Sequence, residues 1–196
     1  MSALDRALLD FLRLVPADVK FALVGGVAVA ARTEPRFTRD LDFAVSVQTD
    51  SEADSTVLRF RQLGYSVETV LENTARQRLS TVRLRRSARS PIIDLLFAAS
   101  GVEPEVVADA ERVEITPGVA APVARVGHLI AMKLVSRDAK RRPNDQQDLV
   151  SLAKVADEVE WSRAESSIEL VIARGFDRGR DLRAGLVEIR GIWQDD

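Results

Sequence analysis

The stretch LVGGVAVAARTEPRFTRDLDFAV, residues 23–45, decides the fold. Residues 20–24, apolar after Lys20, read as a short buried strand that stops at Gly25-Gly26, and small-sided residues 27–31 then read as a helix. Residues 33–39, with Pro35, form a loop before an apolar strand over 41–47 that carries Asp42, with Asp40 at its start. Strand, glycine turn, helix, loop and strand follow in that order, and thirteen residues separate Gly26 from Asp40.

Carboxylates at i and i+2 point to the same side of a strand, so Asp40 and Asp42 can offer oxygens to the same hard divalent cation, magnesium by choice. Glycine lets the backbone approach a ligand closely, and free N–H groups at the start of the following helix favour a phosphate. Asp94 lies in the apolar run PIIDLLF, residues 91–97, where an unpartnered carboxylate is costly and a metal neighbour would relieve it. Three carboxylates and magnesium are equipped for in-line displacement at a phosphate and need no histidine, cysteine or serine nucleophile. Each aspartate also has a plainer use, as a helix cap, a turn residue or the partner of an arginine such as Arg39.

Outward from this centre, Leu4, Leu8, Leu9, Phe11, Leu12 and Leu14 give an opening helix closed by Pro16. A helix is expected over 52–63, ending at Gly64, then strands over 65–71, 78–85 and 92–97. A short helix over 105–110 and strands over 113–115 and 119–123 follow. From 125 onward helix dominates, at 126–137, 144–157, 161–173 and 178–190. The fold class is therefore α+β, a mixed sheet flanked by helices with a C-terminal helical bundle. The division is a catalytic core over 1–124 and a helical region over 125–196.

The chain has 196 residues, 46% of them apolar and 30% charged, enough for an autonomous core. It has no cysteine, which excludes disulfides, thiolate metal sites and cysteine nucleophiles. No apolar run approaches the roughly 20 residues that span a bilayer, so no membrane association is expected and the cytoplasm is the default location. Net charge is only −2, but its distribution is uneven. Arg76, Arg78, Arg83, Arg85, Arg86 and Arg89 fall in a segment without acids, residues 73–93. Alternation along a strand would present Arg76, Arg78, Arg83 and Arg85 as a stripe, with Arg86 beside it, able to face an RNA backbone. The plainer use of these arginines is to solubilise a sheet face or to pair with acids elsewhere.

Residues 23–45 resemble the signature of the DNA polymerase β-like nucleotidyltransferase superfamily: a Gly-Gly or Gly-Ser pair, then Asp-x-Asp, then a third acid on a later strand. AMKLVSRDAKRRPNDQQDL, residues 131–149, resembles the second block of the AbiEii/MenT group of bacterial nucleotidyltransferase toxins. The resemblance implies phosphate contacts at Gly25 and Gly26, metal at Asp40 and Asp42, triphosphate binding at Lys133 and an active-site carboxylate at Asp148. Arg137 and Asp145 lie in the same block. Gly26 stands where many of these toxins carry serine, so the backbone amides must serve without a hydroxyl.

On the predicted helix Lys133 and Arg137 are i and i+4, able to meet one polyphosphate, and Asp145 and Asp148 share a face from which either could pair with them. His128, on an apolar helix, is expected to be structural. The resemblance further implies NTP as substrate, a tRNA 3′ end as acceptor, blocked aminoacylation and translation, and a cognate antitoxin. Other members of the superfamily modify small antibiotics or proteins. An antibiotic enzyme would want an acidic pocket for a cationic drug, which the arginine run opposes, and a third reading is a non-catalytic nucleotide- or RNA-binding module.

Overall fold

Alternation in one strand sets which way the sheet faces. β2 (Asp40–Val45) buries Leu41, Phe43 and Val45 on one side and turns Asp40 and Asp42 to the other. The structure, a computed structural model, describes residues 2–73, 78–138 and 144–194. β1 (Phe21–Val24) runs antiparallel to β2, with Leu23 opposite Phe43 and Val24 opposite Asp42. β5 (Ile92–Leu96) runs parallel on the other flank, with Asp42 opposite Asp94. β4 (Arg78–Arg85) pairs antiparallel with β5 and sets Arg83 opposite Asp94. With β3 (Ser66–Asn73), β6 (Glu111–Thr116) and β7 (Val119–Val123), the seven-stranded mixed sheet has the order β3-β4-β5-β2-β1-β7-β6.

The apolar face is covered by α1 (Ala3–Leu14) and α3 (Asp50–Gln62), which bring Phe11 and Phe60 to the sheet. Phe11 stacks on Phe43 with centroids 3.8 Å apart, Phe60 lies 5.4 Å from Phe11, and Phe21 meets Phe11 edge-on at 5.4 Å. α1 starts with a reciprocal cap between Ser2 and Asp5 and stops at Val15, which the following Pro16 holds extended.

On the opposite face, α2 (Gly25–Arg32) and α5 (Val126–Ser136) close over the strands, and α6 (Asn144–Val155), α7 (Glu158–Ala173) and α8 (Leu182–Gln194) pack around α5. α5 is buried along most of its length. Gly127 lets α7 approach it closely, because a β-carbon there would lie 2.2 Å from the Glu160 carbonyl oxygen. Arg32 fastens α2 to the end of β7 by donating to the Val123 and Ala124 carbonyls and to Glu111.

Every expected element is present, with shifted ends. α4 (Glu103–Ala108) starts earlier than expected, with proline tolerated in its first turn. α8 starts at Leu182 rather than 178, because Gly179 and Arg178 take positive φ in the preceding turn. Among the described residues no helix is long and apolar enough to cross a membrane.

Candidate active site

Gly25 ends β1 and starts α2 at φ +64°, a conformation that costs an L side chain. Space is as demanding as the angle: a β-carbon at Gly25 would lie 1.9 Å from Asp42 Oδ2. The turn can therefore lie directly against the carboxylate only as glycine. No side chain caps the first turn of α2, leaving its amides for another acceptor.

Asp42 and Asp94 are register partners on β2 and β5, and Arg83 is the partner of Asp94 on β4. Arg83 grips Asp94 with two bonds, Nε to Oδ1 at 2.9 Å and Nη2 to Oδ2 at 2.7 Å. That grip holds the Arg83 proton more firmly than usual. Burial raises the Asp40 pKa, the negative charge of Asp94 raises it further, and Arg83, Arg85 and Arg39 oppose the rise.

Among the described residues no three metal-ligating side chains converge as a ready-made cage. The donor set still suits magnesium, which commonly takes one or two carboxylates and completes its shell with water and substrate phosphate. Asp40 and Asp42 would hold it. Asp94, expected as a third ligand, already has Arg83 as its counter-ion.

Lys133 reaches from α5 to two acids of α6, with Nζ 2.7 Å from both Asp145 Oδ1 and Asp148 Oδ2. Ser136 Oγ donates to the other oxygen of Asp145 at 3.1 Å. Asp148 is buried and is met from its other side by Arg36, Nε 2.7 Å from Oδ1 and Nη2 donating to Oδ2 at 2.7 Å. Asp148 thus stands behind Lys133 and fixes its position. Sequence reasoning missed Arg36. Its signal is that two acids on the apolar face of a predicted helix need cations, and one of these lies just before the Asp-x-Asp.

These groups open on a cavity of about 280 Å³. Gly25, Asp42, Asp94, Arg83 and Lys133 form its polar side, while Leu71, Leu96, Leu129 and Met132 form an apolar wall. Its rim at residues 99–101 is shaped by Glu103, another residue missed. This buried carboxylate accepts from the Ala99, Ser100 and Gly101 amides and the Ser100 hydroxyl at 2.7–3.0 Å.

The other expected residues are dispersed. Arg137 does not line the cavity: α5 ends at Ser136, Arg137 turns extended, and its guanidinium pairs with Glu188 at 3.1 and 3.2 Å. The arginine run does not form one free stripe, because its guanidinium groups are taken up one by one. Arg78 pairs with Asp50 of α3, Arg83 with Asp94, Arg85 approaches Glu68 at 3.8 Å, and Arg86 lies over the Tyr65 ring. Arg76 lies outside the described residues. His128 is buried between Ser167 and Asp109, and burial lowers its pKa although Asp109 opposes the change. Its role is structural.

Residues 6–193 match the family model described as nucleotidyl transferase AbiEii toxin, type IV toxin–antitoxin system. No curated protein matches the chain. Among solved structures, JHP933 from Helicobacter pylori is similar over 98% of this chain and 90% of its own, with 18% identity and a TM-score of 0.47. The antibiotic-resistance factor ANT(2'')-Ia is similar over 100% and 94%, with 16% identity and a TM-score of 0.48. MenT4, a nucleotidyltransferase toxin from Mycobacterium tuberculosis H37Rv, is similar over 97% and 91%, with 14% identity and a TM-score of 0.39.

Proposed function

The chain belongs to the AbiEii nucleotidyltransferase toxin family, and from that premise we propose that it transfers NMP from an NTP to the 3′ end of a tRNA, blocking aminoacylation and translation. The observation that carries the chemistry is that one cavity gathers the Gly25 turn, Lys133 and the strand carboxylates Asp42 and Asp94, with Asp40 on the same side of β2 as Asp42. The triphosphate lies along the uncapped amides of α2, with Lys133 on its charged oxygens. Asp148 and Arg36 act through Lys133 as positioning residues. Asp40 and Asp42 would hold magnesium, which when bound would supply charge neutralisation at the reacting phosphate and at the departing pyrophosphate. The acceptor hydroxyl oxygen bonds to the α-phosphorus as the α–β bridging bond breaks, pyrophosphate leaves and the hydroxyl proton is released. The apolar wall of Leu96, Leu129 and Met132 suits a nucleobase.

The setting of this proposal is a cytoplasmic enzyme restrained by a cognate antitoxin. A core over 1–124 supplies the acids, and the helical region over 125–196 supplies Lys133 and Asp148.

The test is magnesium-dependent incorporation of each labelled NTP into total tRNA by the wild type and by Asp42→Ala. Labelling by the wild type and its loss in the variant are expected. No labelling with any NTP refutes the tRNA reading, and labelling that survives Asp42→Ala refutes the assignment of the metal.

A further inference from the structure

A second hollow, of about 580 Å³, lies at the start of β2 on the far side of the aspartate pair. Asp42 lines the cavity described above, whereas Asp40 lines this cleft and is the only acid among the described residues that line it. Its walls carry Arg36, Arg39, Arg85 and Arg89 together with Phe37. Phe37 is 78% exposed, the largest exposure among the big apolar side chains described, and the Arg39 guanidinium lies 5.5 Å from its ring centroid. Among the described residues neither Arg39 nor Arg89 has a carboxylate at ion-pair distance.

In-line displacement requires the attacking oxygen and the departing pyrophosphate to lie on opposite sides of the reacting phosphorus. With the triphosphate end at Gly25 and Lys133, in the cavity that Asp42 lines, the cleft at Asp40 offers the acceptor a separate approach to the aspartate pair. An exposed aromatic ring beside two guanidinium groups without a carboxylate partner, Arg39 and Arg89, is the chemistry that binds single-stranded nucleic acid, by base stacking and phosphate contact. We propose that the unpaired 3′ segment of the RNA acceptor enters through this cleft, with Phe37 stacking a base and Arg39 and Arg89 holding the adjacent phosphates. This rests on the RNA-transfer reading and moves the acceptor contacts away from Arg78 and Arg83, whose guanidinium groups are committed to Asp50 and Asp94.

The experiment measures binding of a fluorescent RNA hairpin with a single-stranded CCA end, against the same hairpin without it, over a range of salt. Phe37→Ala, Arg39→Gln/Arg89→Gln and the remote surface control Arg183→Gln are compared with the wild type, with thermal melts to verify folding. Phe37→Ala is expected to weaken binding of the overhang RNA roughly tenfold and to leave the blunt hairpin unchanged. The double arginine variant is expected to reduce the slope of log affinity against log salt by about 1.4. Phe37→Ala should not alter KM for the NTP, and Arg183→Gln should match the wild type.

If tRNA is labelled normally and both site variants keep wild-type RNA affinity and salt slope, the cleft is not the acceptor path, although RNA transfer stands. If the wild type binds NTP but neither binds nor labels any RNA, the underlying reading fails and the cleft assignment fails with it.

Discussion

Substituting the two adjacent glycines by alanine should have different consequences, one for the fold and the other for substrate binding alone. At Gly25 the backbone sits at φ +64°, and the new β-carbon would fall 1.9 Å from Asp42 Oδ2 and 2.6 Å from its Cγ. The left-handed conformation costs about 1–2 kcal/mol for an L residue, and an off-rotamer Asp42 adds about 1 kcal/mol. For a chain of this size, a total of about 2–3 kcal/mol lowers the melting temperature by roughly 4–12 °C. Displacement of Asp42 should also abolish nucleotide transfer and the thermal upshift caused by magnesium with NTP. At Gly26 the φ is ordinary, and the new β-carbon would meet Arg36 Nη2 at 2.7 Å and Thr38 Oγ1 at 2.8 Å, both side-chain ends that can give. Helix propensity gained by alanine offsets part of that crowding, leaving a change within about 1 kcal/mol. Because Arg36 supports Asp148 and Lys133, Gly26→Ala should raise KM for the NTP while preserving the fold. Thermal melts with and without magnesium and NTP, alongside labelling kinetics, separate the two variants. Wild-type melting and transfer by Gly25→Ala, or equal losses at both positions, would refute this account of the turn.

Lys133→Ala leaves two buried carboxylates short of a cation and should destabilise the fold by about 3–5 kcal/mol in urea denaturation, with Lys133→Ala/Asp145→Asn recovering part of the loss. A cost too small to measure would show that the network is not holding α5 to α6. Asp40 has a pKa raised by burial and by Asp94, so its contribution favours the fold below the ordinary value of 3.8 and is lost as pH rises through the folded-state value. Asp40→Asn should therefore melt higher than the wild type at pH 7, with the gap closing as the pH falls towards 3.8. A lower melting temperature for the variant at pH 7 would contradict the sign. Glu103→Gln exchanges a carboxylate that accepts from four donors for an amide with one oxygen, and should cost about 2–3 kcal/mol. Hydrogen exchange at residues 99–101 should quicken, and unchanged protection there would refute the role of Glu103.

Local pattern carried much of the architecture because each side chain in the central strands has one face to choose. Alternation placed Leu41 and Phe43 inward and Asp40 and Asp42 outward, and Gly25 marked the only sharp turn in an apolar stretch. Helix α8 was misplaced because Arg178 takes positive φ, which non-glycine residues seldom do. Within the candidate site, Lys133 and Asp148 came from resemblance; the i, i+3 spacing of Asp145 and Asp148 left Lys133 and Arg137 open as partners, and the structure pairs both acids with Lys133. Arg36 lies 112 positions from its partner Asp148, so only the packing of α2 against α6 reveals the ion pair. Arg137 was assigned to the wrong face because periodicity extends a helix until something breaks it. Here α5 ends one residue earlier, and Glu188 of α8 takes the charge. The arginine run failed as a free stripe for a related reason: Asp50, Asp94 and Glu68, which engage Arg78, Arg83 and Arg85, lie on other elements, and no spacing within the run shows them.

β2 is at once the back wall of an aromatic cluster and the floor of a charged site, one residue alternating with the next. A slip of one position would drive Asp40 and Asp42 into the Phe11 stack and turn Phe43 out among the arginines. Such a chain would lose its core and its chemistry in the same event, so no misregistered form could persist as a stable but inactive competitor. In this strand, selection for catalysis also proofreads folding.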